Sequence, residues 1–260
     1  MNIFAGAKRR GQGMKKFMRQ IRQDSSGLAV LEFAISLPFF MGLTVGGFEL
    51  ANYAQTLMKL NQITIHTADS AARMGEGDPL VSVDITEQDI NDVFAGTIRE
   101  GESLLLDGQH QYIDPSDGEA KFRGNARIIL SSVEPVYPFD ADDPKFRIRW
   151  QRCVGEASYY NSTYGDVDTA TDIEGIGPSG RQITPPDDTA VMFVELQYYF
   201  RPLIVNGFSK MTEKTIKQTA GMVVRDRRNY SQIYHRDQSI SKRICNGAGG
   251  GDDYVERDGS

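Results

Sequence analysis

The chain has 260 residues, 40% hydrophobic and 10% aromatic, with 29 basic against 35 acidic side chains, a net charge of −6 and a mean hydropathy of −0.40. These values exclude a polytopic membrane protein and a disordered acidic chain, and two cysteines exclude a disulfide-dense scaffold or a four-thiolate zinc site. The acidic balance argues against nucleic acid as a partner.

Residues 1–27 carry Lys8, Arg9, Arg10, Lys15, Lys16, Arg19 and Arg22 against Asp24 alone, a net +6. The rest, with 22 basic and 34 acidic side chains, carries −12. At the junction the sequence turns apolar, LAVLEFAISLPFFMGLTVGGFEL from Leu28, with 16 uncharged residues from Phe33 to Phe48. A membrane span needs roughly 20 mainly apolar residues, so 28–48 suffices with Glu32 near an interface. The nearest basic residues lie on its N-terminal side, which the positive-inside rule keeps cytoplasmic. The expectation is a single pass with the acidic body across the membrane.

Three other readings compete. A soluble core helix fits poorly behind a +6 leader. A cleaved secretory signal, cut near Val45-Gly46-Gly47, fits poorly with Glu32 inside its apolar core and with so long a basic region. A twin-arginine signal from Arg9-Arg10 has Gly11-Gln12 after it and an apolar run far downstream.

Glu32 is the informative residue, because a charge at the centre of a span costs about 2.5–3.5 kcal/mol and calls for a partner. Ser26-Gly27 followed by Leu28-Ala29-Val30-Leu31-Glu32-Phe33 resembles the processing site of type IV pilins. That resemblance implies a prepilin peptidase cutting between Gly27 and Leu28, with the glutamate fifth in the mature chain. The pair Glu32-Phe33 is similar to the Flp-type branch of the Tad (tight adherence) system. From Gly27 to Arg73, with Leu31-Glu32-Phe33-Ala34, Leu37-Pro38, Glu49-Leu50 and Ala68 to Ala72, the chain resembles a TadE-like pseudopilin. Flp major pilins are very short, so the long remainder favours a minor component.

The junction also has a physical logic of its own. A cut after Gly27 removes the basic leader and creates an amine on Leu28. In a bundle of such helices the Glu32 carboxylate of one subunit pairs with the Leu28 ammonium of its neighbour, which compensates the acid and sets register. The alternative is a Glu32 that reaches the interface and pairs with nothing.

Along the helix, Gly42 and Gly46, then Gly47 and Ala51, have the small-residue spacing that lets helices approach in lipid. Pro38 is expected to kink it. From 49 to 73 it becomes an amphipathic stalk: Leu50, Tyr53, Ala54, Leu57, Leu60, Thr64, Ala68, Ala71 and Ala72 against Asn52, Gln55, Lys59, Gln62 and Asp69. Gly75-Glu76-Gly77-Asp78-Pro79 ends the pattern.

The remaining domain, 80–246, opens with a helix predicted over 86–106, capped by Thr86 and Asp89, with a face of Ile90, Val93, Phe94 and Ile98. Four strands follow, 126–137, 145–153, 190–203 and 215–225, and an antiparallel sheet is expected. The clearest alternation sets Phe146, Ile148 and Trp150 against Arg147 and Arg149. Residues 154–189, rich in Gly, Asp, Ser, Thr, Tyr and Pro, form a long loop that reads as a contact surface or an Ω-like excursion. The tail 247–260 reads as disordered. The fold class is therefore α+β: a long N-terminal transmembrane and stalk helix packed on a periplasmic domain with about four antiparallel strands, type IV pilin-like.

Cys153 and Cys245 are the two cysteines. In an oxidising compartment they are candidates to pair; the alternative is two thiols that never meet. Other constellations fail. Gly175-Ile176-Gly177-Pro178-Ser179-Gly180 matches a dinucleotide fingerprint by letter but sits between no strand and helix. Asp166, Asp168, Asp172 and Glu174 lack the calcium-loop glycine, with Thr171 in its place. His66, His110 and His235 have no metal or triad spacing, and Asn161-Ser162-Thr163 is a glycosylation acceptor by letter alone.

The resemblance thus implies a minor pilin of the inner membrane, possessing no cofactor, metal, nucleic-acid partner or small-molecule substrate, and incorporated into or beneath a pilus. Its implied partners are the prepilin peptidase, the Flp major pilin, other pseudopilins, the Tad assembly machinery and the lipid bilayer. Gly27 and Leu28 are the processing pair, Glu32 and Phe33 the assembly residues, and Gly42, Gly46 and Gly47 the packing face. The competing functions are an uncleaved single-pass anchor presenting a periplasmic binding domain, and a secreted hydrolase.

Overall fold

Thr86 and Asp89 show how locally some of this architecture is determined. In the computed structural model, which describes residues 26–75, 82–203, 214–225 and 228–245, the Asp89 amide donates to the Thr86 hydroxyl and the Thr86 amide donates to the Asp89 carboxylate. This reciprocal capping box starts helix α2, Glu87–Glu100, which buries Ile90, Phe94 and Thr97. The helix stops short of the expected 106. Gly101 lies so close to the Leu106 side chain that any Cβ there would collide, and Glu102–Leu104 tighten into a 3-10 turn.

Helix α1 spans Ser26–Ala72 and continues through Pro38. The chain divides into two compact units, 1–52 and 53–260. Within the second, α1 buries Thr56, Leu60, Ile63, Thr64, Thr67, Ala68, Ala71 and Ala72, with Tyr53 and Leu57 half-buried. The expected stripe is corrected at two places: Leu50 and Ala54 are exposed, and Ile63 and Thr67 are buried instead. Buried positions advance by three and four, so Ala54, next to Tyr53, is turned about 100° away from the row. The buried threonines are satisfied within the helix, Thr64 donating to Leu60 O and Thr67 to Ile63 O, both at 2.7 Å.

Eight strands are described: β1 Val83–Thr86, β2 Gln109–Ile113, β3 Ala120–Gly124, β4 Ala126–Pro135, β5 Phe146–Val154, β6 Val191–Phe200, β7 Lys214–Val223 and β8 Arg228–Tyr234. The four expected strands are β4 to β7, and they form the expected antiparallel sheet, in the order β5-β4-β6-β7. The hairpin β2–β3 and the parallel pair β1–β8 are additional. One face of the central sheet, with Ile128, Leu130, Trp150, Met192, Val194 and Leu196, packs against α1 and α2. The other, with Val133, Phe146, Ile148, Val191 and Phe193, packs under Val167, Ala170 and Ile176.

That second cover is the segment 154–189, which the sequence reads as a contact surface or an Ω-like excursion. Gly155, at φ +102 where the backbone favours glycine, turns the chain off β5. The segment then lies along the sheet, bridging Phe146 to Ile173 and Ile176 to Ile183. Polar bonds hold it down as well. Gln197 donates to Asn161 O at 2.7 Å and Gln151 to Gly165 O at 3.0 Å. Glu195 accepts from the Ser162 hydroxyl and, at 2.7 Å, from the Thr163 amide. Burial pushes the Glu195 carboxyl above the ordinary glutamate range, against those hydrogen bonds.

The alternation on β5 is corrected too. Ser132 pairs with Trp150 and Val133 with Ile148, so Arg149 is the extra residue of a bulge. Phe146 and Ile148 face one core and Trp150 the other. Arg149 is wholly buried, 4.0 Å from Glu134. Further along, Arg152 meets Glu87 at 2.6 Å, with both side chains 2% exposed, and ties the first turn of α2 to β5. Cys153 and Cys245 form a disulfide, closing 92 residues, and the Cys153 amide donates to Arg243 O at 2.6 Å. The expectations for residues 1–25 and for the tail 247–260 lie outside the described residues.

Two stability measurements test this packing. Glu87→Ala is expected to cost about 3–5 kcal/mol in denaturant titrations of the detergent-solubilised chain, because it strands a buried guanidinium, while Glu87→Met with Arg152→Met costs far less. The raised Glu195 pKa means that its contribution is present at acid pH and is lost as pH rises through the folded value. The stability gained by Glu195→Gln should therefore be larger at about pH 8 than at about pH 4, as read from thermal melts across that range; a difference independent of pH would contradict the assignment.

Candidate functional site: the apolar segment of α1

In the first unit α1 carries apolar residues on every side. From Leu28 to Leu50, thirteen large hydrophobic side chains are exposed, among them Phe39 at 72% and Leu43 at 74%. A helix that is apolar all round belongs in a protein core or a bilayer. None of this stretch is buried, and it is long and apolar enough to cross a membrane. Removing a dozen such side chains from water is worth on the order of 20–30 kcal/mol. That magnitude, with no cover over the stretch among the described residues, favours a membrane-spanning helix over a soluble core helix.

The residues singled out by sequence fall at defined places on this segment. Gly27 and Leu28 lie in the first turn of α1 and are exposed. Glu32 follows Leu28 by one turn on the same face and is exposed, as is Phe33 at 63%. The Ser36 hydroxyl folds back onto Phe33 O at 3.1 Å, which satisfies it inside an apolar stretch. Pro38 supplies no amide for the Ala34 carbonyl, one turn earlier. A Cβ placed on Gly42, Gly46 or Gly47 would meet no atom within 4 Å. Gly42 and Gly46 share a face, and Gly47 stands about 100° around from Gly46.

In the second unit, residues of the motifs matched by letter make local contacts. Gly175–Gly180 runs into the turn 177–182 between the bridged residues Ile176 and Ile183, with Arg181 donating to Pro178 O at 2.9 Å. The Asp166 carboxylate accepts from the Thr169 hydroxyl and from the amides of Asp168 and Thr169, bonds that hold its pKa down. His66 pairs with Glu100 at 2.7 Å, His110 stacks on Tyr199 and bonds Asn125, and His235 bonds Ile240 O. Among the described residues no cluster of three His, Cys, Asp or Glu is placed to hold a metal. Sequence reasoning missed an open cleft of about 540 Å³ beside His66, Asp69, Ser70, Asp92, Gly96 and Glu100. Its walls come from α1 and α2, too far apart in sequence to form a motif.

Comparison of the chain with protein-family models, curated proteins and solved structures finds no match.

A charge at the middle of the apolar stretch tests its solvent. Leu43→Arg adds about 2.5–3.5 kcal/mol to insertion. The parent chain is expected in the carbonate-resistant membrane pellet and the variant outside it, and a variant that still pellets with membranes would contradict a span centred there.

Proposed function

We propose that the chain is a minor pilin of the TadE-like kind, inserted through 28–48, processed between Gly27 and Leu28, and assembled with other pilins by packing of its apolar helix. The observation that carries this reading is the coincidence of Gly27, Leu28, Glu32 and Phe33 at one end of a helix that is apolar on all sides and uncovered. In this reading the basic leader keeps the N-terminus cytoplasmic until the prepilin peptidase removes it, and the acidic domain faces the periplasm.

Assembly follows from what the segment lacks. In lipid, Glu32 needs a counter-charge, and a neighbouring Leu28 ammonium supplies one at a distance set by one helical turn. Breaking such a buried pair costs about 3–5 kcal/mol. Gly42, Gly46 and Gly47 each cost about 1 kcal/mol of helix propensity relative to alanine, and nothing among the described residues requires their smallness. Close approach by a second helix gives that smallness a use. The Cys153–Cys245 disulfide supports an oxidising location for the domain. The implied partners are the prepilin peptidase, the Flp major pilin, other pseudopilins and the Tad assembly machinery of the inner membrane.

The second reading is an uncleaved single-pass anchor presenting a periplasmic binding domain, which the same exposed helix also supports. N-terminal mass spectrometry of protein from a native host separates them: Leu28 at the mature terminus supports the pilin, and an intact leader supports the anchor. Glu32→Ala is expected to leave cleavage in place and abolish piliation, and normal pili in that variant would remove Glu32 from assembly.

A further inference from the structure

The two long edges of the central sheet are finished differently. On β5 the chain covers its own edge: Phe146 N–H donates to Ile173 O and Ile148 N–H to Ala170 O, both at 2.8 Å, and Cys153 N–H to Arg243 O at 2.6 Å. The edge of β7 has no such cover among the described residues. The register of β6 with β7, and the bond from Val224 N–H to Ala190 O, direct the backbone groups of even-numbered residues toward β6. Bonded and non-bonded pairs alternate along an antiparallel ladder. Thr215, Lys217, Thr219, Gly221 and Val223 therefore turn their N–H and C=O groups out of the sheet. The same parity appears across β6, where Tyr199 N–H donates to Asn125 O. None of the five is buried, and no backbone bond from a described residue reaches them. β7 pairs with β6 over ten residues without a bulge and holds no proline, so its outer side is a template for another strand.

Charge selects the occupant. Exposed Lys214 and Lys217 mark one end of the edge. Arg225 marks the other, beside a cleft of about 270 Å³ that Gly221, Met222 and Val223 also line, together with Arg73 and Asp69, which pair with each other at 3.1 Å. A second β7 is disfavoured in either orientation: antiparallel pairing sets lysines against Arg225, and parallel pairing sets lysines against lysines. An acidic extended segment fits, and the chain contains one. Residues 246–260 hold Asp252, Asp253, Glu256 and Asp258 against Arg257, with Tyr254-Val255 between the acids and no proline.

The root of that segment is known, because Cys245 is bound to Cys153. Cys153, Ile129, Glu195 and Thr219 stand in one row across the sheet. The root thus lies three strands, about 14 Å, from the middle of the open edge, and a route over either covering layer adds roughly 20 Å. The seven steps from Cys245 to Asp252 span at most about 25 Å. They are too short to lay Asp252 onward along the chain's own β7 but impose no such limit between molecules.

We infer that Asp252–Asp258 of one copy adds as a strand to the open edge of β7 in a second copy. Donor segment and acceptor edge are different surfaces, so the contact is heterologous and extends into open chains instead of closing a dimer. It rests on the sheet and its charges, and holds whether or not the leader is cut at Gly27.

The test uses the full chain in detergent, a variant lacking 247–260, and a synthetic peptide of residues 246–260. Amide exchange of 214–223 should slow as the concentration of intact chain rises, stay fast in the truncated variant, and slow again when peptide is added. Peptide affinity, read by fluorescence anisotropy, should fall about tenfold or more between 50 and 500 mM salt and by a similar factor in Lys214→Glu with Lys217→Glu. Thr219→Pro should abolish binding while leaving the fold intact, since its amide makes no bond within the sheet. Protection of 214–223 that is independent of concentration, or peptide binding indifferent to both lysines and Thr219, would overturn the proposal.

Discussion

All ten residues of β4 are buried, and most of the second unit is arranged around that constraint. A strand with no exposed face needs a neighbour along each edge and a cover on each side. β5 and β6 supply the edges. The covers come from different parts of the chain, α1 and α2 on one side and the irregular 155–190 segment on the other. Two facing layers also force polar groups into the interior, and each is answered locally. Arg152 is held by Glu87, Arg149 lies beside Glu134, and Glu195 is met by Ser162 and Thr163. Buried pairs of this kind add less stability than an apolar core of equal volume. Their effect is to fix where α2 and the long segment can dock.

What was legible in the sequence follows from how local each signal is. The apolar run, the Thr86–Asp89 cap and β4 to β7 announce themselves within a dozen residues, through composition, capping chemistry and runs of branched and aromatic side chains. The hairpin β2–β3 does not, because QHQYI and AKFRG are largely exposed and polar. Nor does β1–β8, whose parallel pairing joins Asp84 to Asn229 across 145 residues. The packing of the 154–189 segment on the sheet was not legible, because its anchors, Val167, Ala170 and Ile176, are single apolar residues at irregular spacing. Periodicity cannot see a cover that has no period. The β5 alternation misled for a related reason: inserting Arg149 as a bulge reverses the face of every residue after it, and only the partner strand reveals the insertion.

The apolar helix was legible in the sequence, since it is a property of composition along one stretch of chain. Structure adds the negative space. Among the described residues, nothing covers the stretch from Leu28 to Leu50, and nothing within the chain makes use of Gly42, Gly46 or Gly47. Three glycines in an α-helix cost about 1 kcal/mol each, a cost to which the proposed helix packing gives a use.

The change of pattern along α1 fits that proposal. Up to Leu50 the apolar residues follow no face, and from Tyr53 onward they follow one, at three- and four-residue steps through Leu57, Leu60, Ile63 and Thr67. A helix meeting a single apolar wall needs a stripe; a helix immersed in an apolar medium needs none. Within the uniform part, an ionisable Glu32 stands one turn from Leu28, and both are uncovered. In water such a carboxylate needs no explanation. Beside twelve other exposed apolar side chains, and with no cation inside the segment from Leu28 to Leu50, it matches the proposed assembly, in which the counter-charge is a newly made N-terminus; the competing picture is a Glu32 at the membrane interface, where water replaces the partner.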